Sequence, residues 1–253
     1  MSVNLNSSSI DAEEVEKFSR MAEDWWNPHG KFKPLHKLNP VRLKYIRDKL
    51  TEHFGSVIPA SAGGSRTPLA GLSILDIGCG GGLLSVPLTR LGATVTGIDA
   101  SGKNIKVAQA HALKEALDIE YINISAEELA ARNRQFDVVL NMEVIEHVAD
   151  VSSFMQASSQ LLKPGGLMLV ATLNRTAKSY IFAIVGAEYV MRWLPQGTHD
   201  WKKFLKPHEI FEQFEKNDIK HLESKGIKFN PVKDEFSLYD DLSVNFMMLG
   251  KKA

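Results

Sequence analysis

The sequence has only one cysteine, Cys79, so an intrachain disulfide is excluded and a reducing compartment fits. It also lacks a net charge, because 30 Lys and Arg residues balance 30 Asp and Glu residues. A general nucleic-acid binder usually carries a basic excess, so we expect no nucleic-acid partner. The N-terminus lacks the basic start and apolar block of a secretory signal. These absences together predict a cytoplasmic chain.

The sequence does contain enough apolar residues for a sizeable core, 44% of the total. From Ser73 onward, short apolar runs alternate with stretches of helical periodicity, and the last two apolar runs lie in 219–231 and 243–252. Alternation of this kind predicts parallel strands joined by helices that cover both faces of the sheet. We therefore predict an α/β fold with a doubly wound, mostly parallel seven-stranded sheet, which would bind ligands at the carboxyl ends of its strands.

Two helices are predicted before the first strand. Asp11 followed by Glu14 resembles a capping box, and an amphipathic helix is expected from Asp11 to Trp26. Asn39 and Pro40 suit the cap and the first position of a second helix. We expect residues 1–72, including a linker rich in small residues, to cap a catalytic domain formed by residues 73–253.

A glycine-rich turn follows the first predicted strand, in the stretch ILDIGCGGG. Gly78, Gly80 and Gly82 would let the backbone approach a ligand that a Cβ atom would hold away. A nicotinamide-dependent dehydrogenase, the competing enzyme class, would need a third glycine at Leu83. The pattern instead resembles the first motif of class I methyltransferases that use S-adenosylmethionine. Asp76, inside this motif, is expected to brace the turn.

Two further residues are predicted to reach the same crevice. Asp99 ends the second predicted strand, where a carboxylate can accept hydrogen bonds from both hydroxyls of a ribose. Met142 ends the fourth predicted strand and suits the wall of an adenosine pocket, although an ordinary core position explains it equally well.

The stretch NMEVIEHV, from Asn141 to Val148, places charged groups directly after a buried strand. If the chain turned helical after Met142, then Glu143, Glu146 and His147 would share one face of the helix. A plainer explanation is that a first helical turn favours anions, and the spacing alone leaves both explanations open.

Longer stretches make the resemblance more specific. The stretches are WWNPHGKFKPLHKLNPVRL, ATVTGID, MEVIEHV, LNRTAKSYIFAIVGAEYV and GTHDWKKFLKP. Together they resemble the ubiquinone biosynthesis O-methyltransferase family, from about Val15 to Lys206 and into the tail. The resemblance implies an enzyme that methylates hydroxyl groups of polyprenylated phenol, catechol and demethylubiquinol intermediates, with S-adenosylmethionine as cosubstrate. The alternative to an enzyme is a scaffold protein that binds the methyl donor without catalysing a reaction.

The resemblance also implies residue roles. Arg42 matches the family arginine that binds the methyl donor, and Glu143, Glu146 and His147 match the E-x-x-E-H ligands of a divalent cation, most often magnesium. His147 is expected to act as a ligand or as a catalytic base beside the two glutamates. The other donor-binding residues are expected to be Asp76, Gly78, Gly80, Asp99 and Met142.

Residues 175–206 are predicted to form a helical insertion after the fifth strand. Within them, Ser179–Pro195 is apolar and is flanked by basic and aromatic residues, which suits contact with an anionic membrane surface. A lid over the active site is the equal alternative. We expect peripheral association with the inner face of the membrane, where a ubiquinone biosynthesis complex would be a further partner. His199 and Asp200 form a second candidate acid–base pair.

Overall fold

The computed structural model describes residues 9–55, 67–180 and 200–253. Within these residues, eight strands form one sheet. The strands are β1 (Ser73–Ile77), β2 (Thr94–Asp99), β3 (Glu120–Asn123), β4 (Phe136–Met142), β5 (Leu162–Leu173), β6 (Ile219–Asn230), β7 (Glu235–Tyr239) and β8 (Asn245–Lys252). Their spatial order is β3-β2-β1-β4-β5-β8-β6-β7.

The first five strands pair in parallel, and β8, β6 and β7 continue the sheet in antiparallel fashion. The mostly parallel sheet is confirmed for β1 to β5, but the predicted number of seven strands is wrong for the described residues. The additional strand is β7, whose sequence EFSLY pairs with the second half of β6. Its Phe236 and Leu238 pack against the core, and this burial favours a strand in a segment where the sequence pattern predicts none.

Helices cover both faces of the sheet, as predicted. The helices are α1 (Ala12–Ser19), α2 (Lys33–Phe54), α3 (Ser85–Arg90), α4 (Gly102–Lys114), α5 (Ala126–Ala130), α6 (Val151–Gln160), α7 (Ala177–Ser179) and α8 (Pro207–Lys216). Side chains of α5, α6 and α8 share one buried cluster with the sheet. Side chains of α2 and α3 share another cluster with alternate residues of the same strands. The doubly wound arrangement leaves the carboxyl ends of β1, β2 and β4 open to the N-terminal segment.

The two N-terminal helices have different bounds from those predicted. Helix α1 ends at Ser19 rather than Trp26, and a 3₁₀ turn at Ala22–Asp24 follows it. The Asp11 side chain caps α1 by accepting from the amides of Glu13 and Glu14, as expected for an N-cap. Helix α2 begins at Lys33, not Pro40, because Pro34 occupies its first turn and the buried Leu38 already belongs to its core-facing side.

The stretch after β4 is not an α-helix. Glu143 has a φ of +58°, a left-handed conformation that is uncommon for a residue with a side chain. Ile145–His147 then forms a 3₁₀ turn, and α6 begins only at Val151 with Asp150 as its cap. The expectation that Glu143, Glu146 and His147 share one helical face is therefore wrong, because Glu143 precedes the 3₁₀ turn and has a left-handed backbone conformation.

Most of the predicted apolar run Ser179–Pro195 lies within 181–199, outside the described residues, as does His199. Three of its flanking basic residues form ion pairs within the fold: Arg175 with Glu209, Lys178 with Asp241, and Lys203 with both Asp11 and Glu14. No helix in the described part of the chain is long and apolar enough to cross a membrane.

Candidate active site

The glycine turn joins β1 to α3 and meets the end of β2. Gly78 and Gly80 have φ values of +69° and +54°, which side-chain-bearing residues seldom adopt. The Gly80 amide donates to Asp99 Oδ2 over 2.9 Å. Asp76 Oδ2 accepts from the Ser85 hydroxyl at the start of α3 over 2.6 Å, so Asp76 ties the two ends of the turn together.

Asp99 is partly buried at the end of β2 and accepts hydrogen bonds from its neighbours. Its Oδ1 accepts from the Ser101 amide over 2.7 Å and from the Asn104 side chain over 3.3 Å. Burial raises the pKa of Asp99, and the hydrogen bonds from Ser101, Gly80 and Asn104 oppose that rise. Because each carboxylate oxygen can accept more than one hydrogen bond, Asp99 keeps acceptor capacity toward the adjoining cavity.

Two adjacent tryptophans hold the glycine turn from the N-terminal side. The Trp25 ring packs directly on Gly80 and Gly81, where a Cβ atom would come within 2.4 Å of it. Its Nε1 donates to Asn104 Oδ1 over 3.0 Å. Trp26 Nε1 donates to the Gly81 carbonyl over 2.8 Å. The sequence prediction assigned no such role to either residue, although the WW pair in a chain with four tryptophans was the available signal.

Two cavities open at the carboxyl ends of the strands. The β2 cavity runs along the end of β2 and includes Asp99, whereas the α2 cavity lies against α2 and includes Arg42 and Met142. Both are lined by Gly78, Trp25, Phe18, Glu143 and His147, so these five residues mark where the cavities meet. Met142 therefore lines the α2 cavity rather than the cavity that contains Asp99.

Arg42 is a buried cation facing three acids in the α2 cavity. Its guanidinium lies 3.7 Å from Glu143 Oε1. Burial lowers the pKa of Arg42, and the charges of Glu143, Asp76 and Glu146 oppose this effect. Arg42 Nε is buried and has no hydrogen-bond partner among the described residues. An unsatisfied buried donor of this kind suits an anionic ligand group.

Glu146 is almost fully buried beside Glu143. Its Oε2 accepts from the Thr172 hydroxyl over 2.8 Å, while its Oε1 has no hydrogen-bond partner among the described residues. Burial and the neighbouring Glu143 carboxylate raise the pKa of Glu146 well above its usual value. Because the two carboxylates are neighbours in a buried site, a shared proton or a shared cation is favoured over two free negative charges.

His147 contacts helix α1 through one nitrogen of its ring. Its Nδ1 lies 3.0 Å from Glu14 Oε2. The hydrogen bond from His147 lowers the pKa of Glu14 to about 2, against the opposing effect of burial. An ionised Glu14 can only accept, so Nδ1 of His147 is the donor in this hydrogen bond.

The predicted three-residue metal site does not form in the described part of the chain. No group of three or more His, Cys, Asp or Glu side chains is placed there to hold a metal ion. His147 is the residue that departs from the predicted set, because Nδ1 contacts Glu14 and the 3₁₀ turn separates His147 from Glu143. Glu143 and Glu146 remain as a carboxylate pair.

The chain is similar in sequence to known methyltransferases. A methyltransferase domain family matches residues 75–170, which span β1 to most of β5. The ubiquinone biosynthesis O-methyltransferase of Bartonella bacilliformis is 52% identical over 250 residues, which cover 99% of each chain. The protein of the same name from Cereibacter sphaeroides is 54% identical and covers 95% of this chain and 96% of its own. The chain belongs to the ubiquinone biosynthesis O-methyltransferase family.

Solved structures agree with the methyltransferase fold. Magnesium protoporphyrin IX methyltransferase from Synechocystis PCC 6803 with bound SAM superposes with a TM-score of 0.60 at 14% identity, over 98% of this chain and 100% of that one. The same enzyme with bound SAH gives a TM-score of 0.58 at 17% identity, over 98% of this chain and 90% of that one. The expected class I methyltransferase fold is confirmed by these matches.

Proposed function

We propose that this member of the ubiquinone biosynthesis O-methyltransferase family binds the nucleoside of S-adenosylmethionine in the β2 cavity and its methionyl part beside Arg42 in the α2 cavity. The ring of a polyprenylated phenol, catechol or demethylubiquinol would lie where the two cavities meet. The observation that carries the proposal is the position of His147 and Glu143, which line both cavities where they meet. A group at that junction can act on an acceptor oxygen while the donor methyl is within reach.

The donor is proposed to lie across the glycine turn. Asp99 would accept from its ribose hydroxyls, and the positive-φ turn at Gly78 and Gly80 would let the chain approach its methionyl part. The unsatisfied Nε of the buried Arg42 would bind the methionyl carboxylate. In this placement the sulfonium lies where the two cavities meet, and its methyl is within reach of an acceptor held beside His147.

Methyl transfer then needs a deprotonated acceptor oxygen. A phenol has a pKa near 10, so at neutral pH few acceptor molecules are ionised. We propose that Nε2 of His147 takes the phenolic proton, with Glu14 holding the ring through Nδ1. The oxygen lone pair forms the new O–C bond as the S–C bond breaks, and the electron pair of that bond stays on sulfur. The products are the methyl ether and neutral S-adenosylhomocysteine.

Mass spectrometry with a labelled donor tests the proposed reaction. The enzyme is incubated with S-adenosylmethionine labelled in its methyl group and with a polyprenylated catechol or demethylubiquinol. The expected product carries the label as a methyl ether on a ring hydroxyl. Label on a ring carbon, or no labelled quinone precursor, would refute the proposal.

Asp76 predicts a pH dependence of donor binding. Burial raises its pKa to about 6. The bound donor product carries a cationic amino group, which favours the ionised carboxylate, so S-adenosylhomocysteine should bind more tightly as the pH rises through about 6 and more weakly below it. Calorimetric titration between about pH 5 and pH 7 measures this trend. Asp76→Asn should flatten it, and an unchanged trend in that variant would exclude Asp76 as its origin.

We propose that magnesium, when used, is held by Glu143 and Glu146 without His147. Mg²⁺ prefers oxygen ligands and often takes only one or two carboxylates, with water or substrate oxygens completing its shell. Magnesium titration into the enzyme should show binding weakened by at least about tenfold in Glu146→Gln. His147→Asn should bind magnesium as the parent does. Loss of binding in His147→Asn alone would reverse the assignment.

We also propose that residues 175–206 attach the enzyme to an anionic membrane surface, beside other proteins of ubiquinone biosynthesis. The apolar run Ser179–Pro195 supports this, while the ion pairs of Arg175, Lys178 and Lys203 leave fewer basic groups for lipid than predicted. Deletion of Tyr180 to Leu194 should abolish cosedimentation with vesicles that contain anionic lipid. Full binding by the deletion variant would disprove membrane contact through this segment.

A further inference from the structure

The N-terminal segment of residues 9–20, which we call the strap, forms one wall of the β2 cavity. Six of its residues line that cavity: Ser9, Ile10, Asp11, Glu14, Val15 and Phe18. The facing wall includes Gly78, Asp99 and Ile124, which lie at or just after the ends of β1, β2 and β3. A ligand that fills the cavity therefore lies between the strap and the strand ends.

The first end of the strap is attached by a few hydrogen bonds. The Ser9 carbonyl accepts from the Ala149 amide over 2.7 Å, and the Ser9 amide donates to a carboxylate oxygen of Glu127 over 3.2 Å. Ile10 forms an isolated antiparallel bridge with Val148. An isolated bridge has no neighbouring ladder of hydrogen bonds to support it, so this attachment can break without disturbing the sheet.

The middle of the strap is held mainly by polar contacts. No residue of α1 is buried. Lys203 pairs with Asp11 Oδ2 over 2.9 Å and with Glu14 Oε1 over 3.2 Å, and the Lys203 side chain is 36% exposed. Ion pairs between groups that water can reach stabilise a fold only weakly. A segment with little buried apolar surface opens at a low free-energy cost.

The strap is anchored by burial only at its second end. Ser19 Oγ lies 2.6 Å from Ser101 Oγ, and the buried residues Met21, Ala22 and Trp25 follow. The Trp25 ring packs on the glycine turn. The strap can therefore swing about the junction between α1 and the 3₁₀ turn at Ala22–Asp24 while the residues after that junction stay packed.

We propose that the strap is a lid that opens to admit the methyl donor to the β2 cavity and to release its product. This proposal rests on the proposed placement of the donor nucleoside in that cavity. Opening breaks the contacts of Ser9, Ile10 and Lys203, whereas the packing of Trp25 persists. Glu14 moves with the strap, so closure also brings Glu14 to His147. The proposed base is therefore held in place only when the lid has closed over the donor.

A reversible cross-link tests the lid. Ile10 and Val148 face each other across the bridge, at a separation that a disulfide can span. Cys79, the one native cysteine, is buried, which leaves the engineered pair as the reactive one. The variant with Ile10→Cys and Val148→Cys is oxidised either empty or after loading with labelled S-adenosylhomocysteine. The empty form should exclude the ligand and the loaded form should retain it through gel filtration, with exchange at least about 100-fold slower than after reduction.

A variant with Lys228→Cys and Ser237→Cys is the matched control. These two residues face each other across β6 and β7, at the edge of the sheet, and line neither cavity. The oxidised control should exchange S-adenosylhomocysteine as its reduced form does. Free exchange through the closed Ile10–Val148 cross-link, or equal slowing in the oxidised control, would overturn the lid while the donor site stands. Failure of the reduced enzymes and the parent to bind S-adenosylhomocysteine would overturn both.

Lys203→Met provides a second measurement that needs no cross-link. This variant should release S-adenosylhomocysteine about two- to tenfold faster than the parent in stopped-flow experiments, because the closed strap loses both ion pairs. Lys202→Met, at the adjacent position, should release it at the parental rate. Parental release by Lys203→Met would contradict the closure of the strap by these ion pairs.

Discussion

His147→Asn is expected to lower the turnover number by about 10²- to 10⁴-fold, the usual contribution of a positioned general base. Asparagine can still contact Glu14 but cannot take up the acceptor proton at neutral pH. Because His147 is proposed to act on the acceptor, the affinity for S-adenosylhomocysteine should change by less than about threefold. Steady-state kinetics and calorimetric titration on the same preparation measure both quantities.

His221→Asn is the matched control for this variant. His221 lies on β6, where its Nε2 contacts the Ser224 hydroxyl over 2.8 Å, and it lines none of the cavities described above. This control should retain parental turnover. Retention of turnover in His147→Asn would remove the base from the mechanism, and equal losses in both variants would point to a general effect of histidine replacement.

Gly80→Ala is expected to destabilise the protein by about 2–5 kcal/mol and to weaken donor binding by at least about tenfold. The left-handed φ of +54° strains a residue with a side chain, and the new Cβ would lie 2.3 Å from the Trp25 ring. Displacement of Trp25 or of the turn would also disturb the Gly80–Asp99 hydrogen bond, which orders the proposed ribose site. Denaturant unfolding and titration with S-adenosylhomocysteine measure the two effects.

Gly165→Ala separates backbone strain from steric overlap. Gly165 has a similar φ of +77°, but a Cβ atom built there meets nothing within 4 Å. This variant should lose only about 1–2 kcal/mol of unfolding free energy and bind the donor product normally. Equal losses of stability and of binding in the two variants would show that the contact with Trp25 has no special role.

The central sheet was predictable because its signals are local. The strands β1 to β5 alternate with helical stretches along the sequence, and few folds other than a parallel sheet covered by helices show that alternation. Asp99 could likewise be placed at the carboxyl ends of the strands, since it ends a buried strand next to the one that leads into the glycine turn. The antiparallel β7 was missed because EFSLY is half-exposed and gains its burial only from tertiary contacts.

The wall of the site was harder to predict because distant parts of the chain form it. The left-handed Glu143 carries no sequence signal, so the helical arrangement of the E-x-x-E-H stretch was the natural but wrong expectation. The contact of Glu14 with His147 joins residues 133 positions apart. Trp25 likewise contacts the glycine turn only when the N-terminal segment folds over the ends of the strands.

The most direct measurement is a crystal structure of the enzyme with S-adenosylhomocysteine. We expect the ribose on Asp99 and the sulfur atom at the junction marked by Glu143 and His147. A nucleoside bound elsewhere, or a sulfur atom directed away from His147, would contradict it.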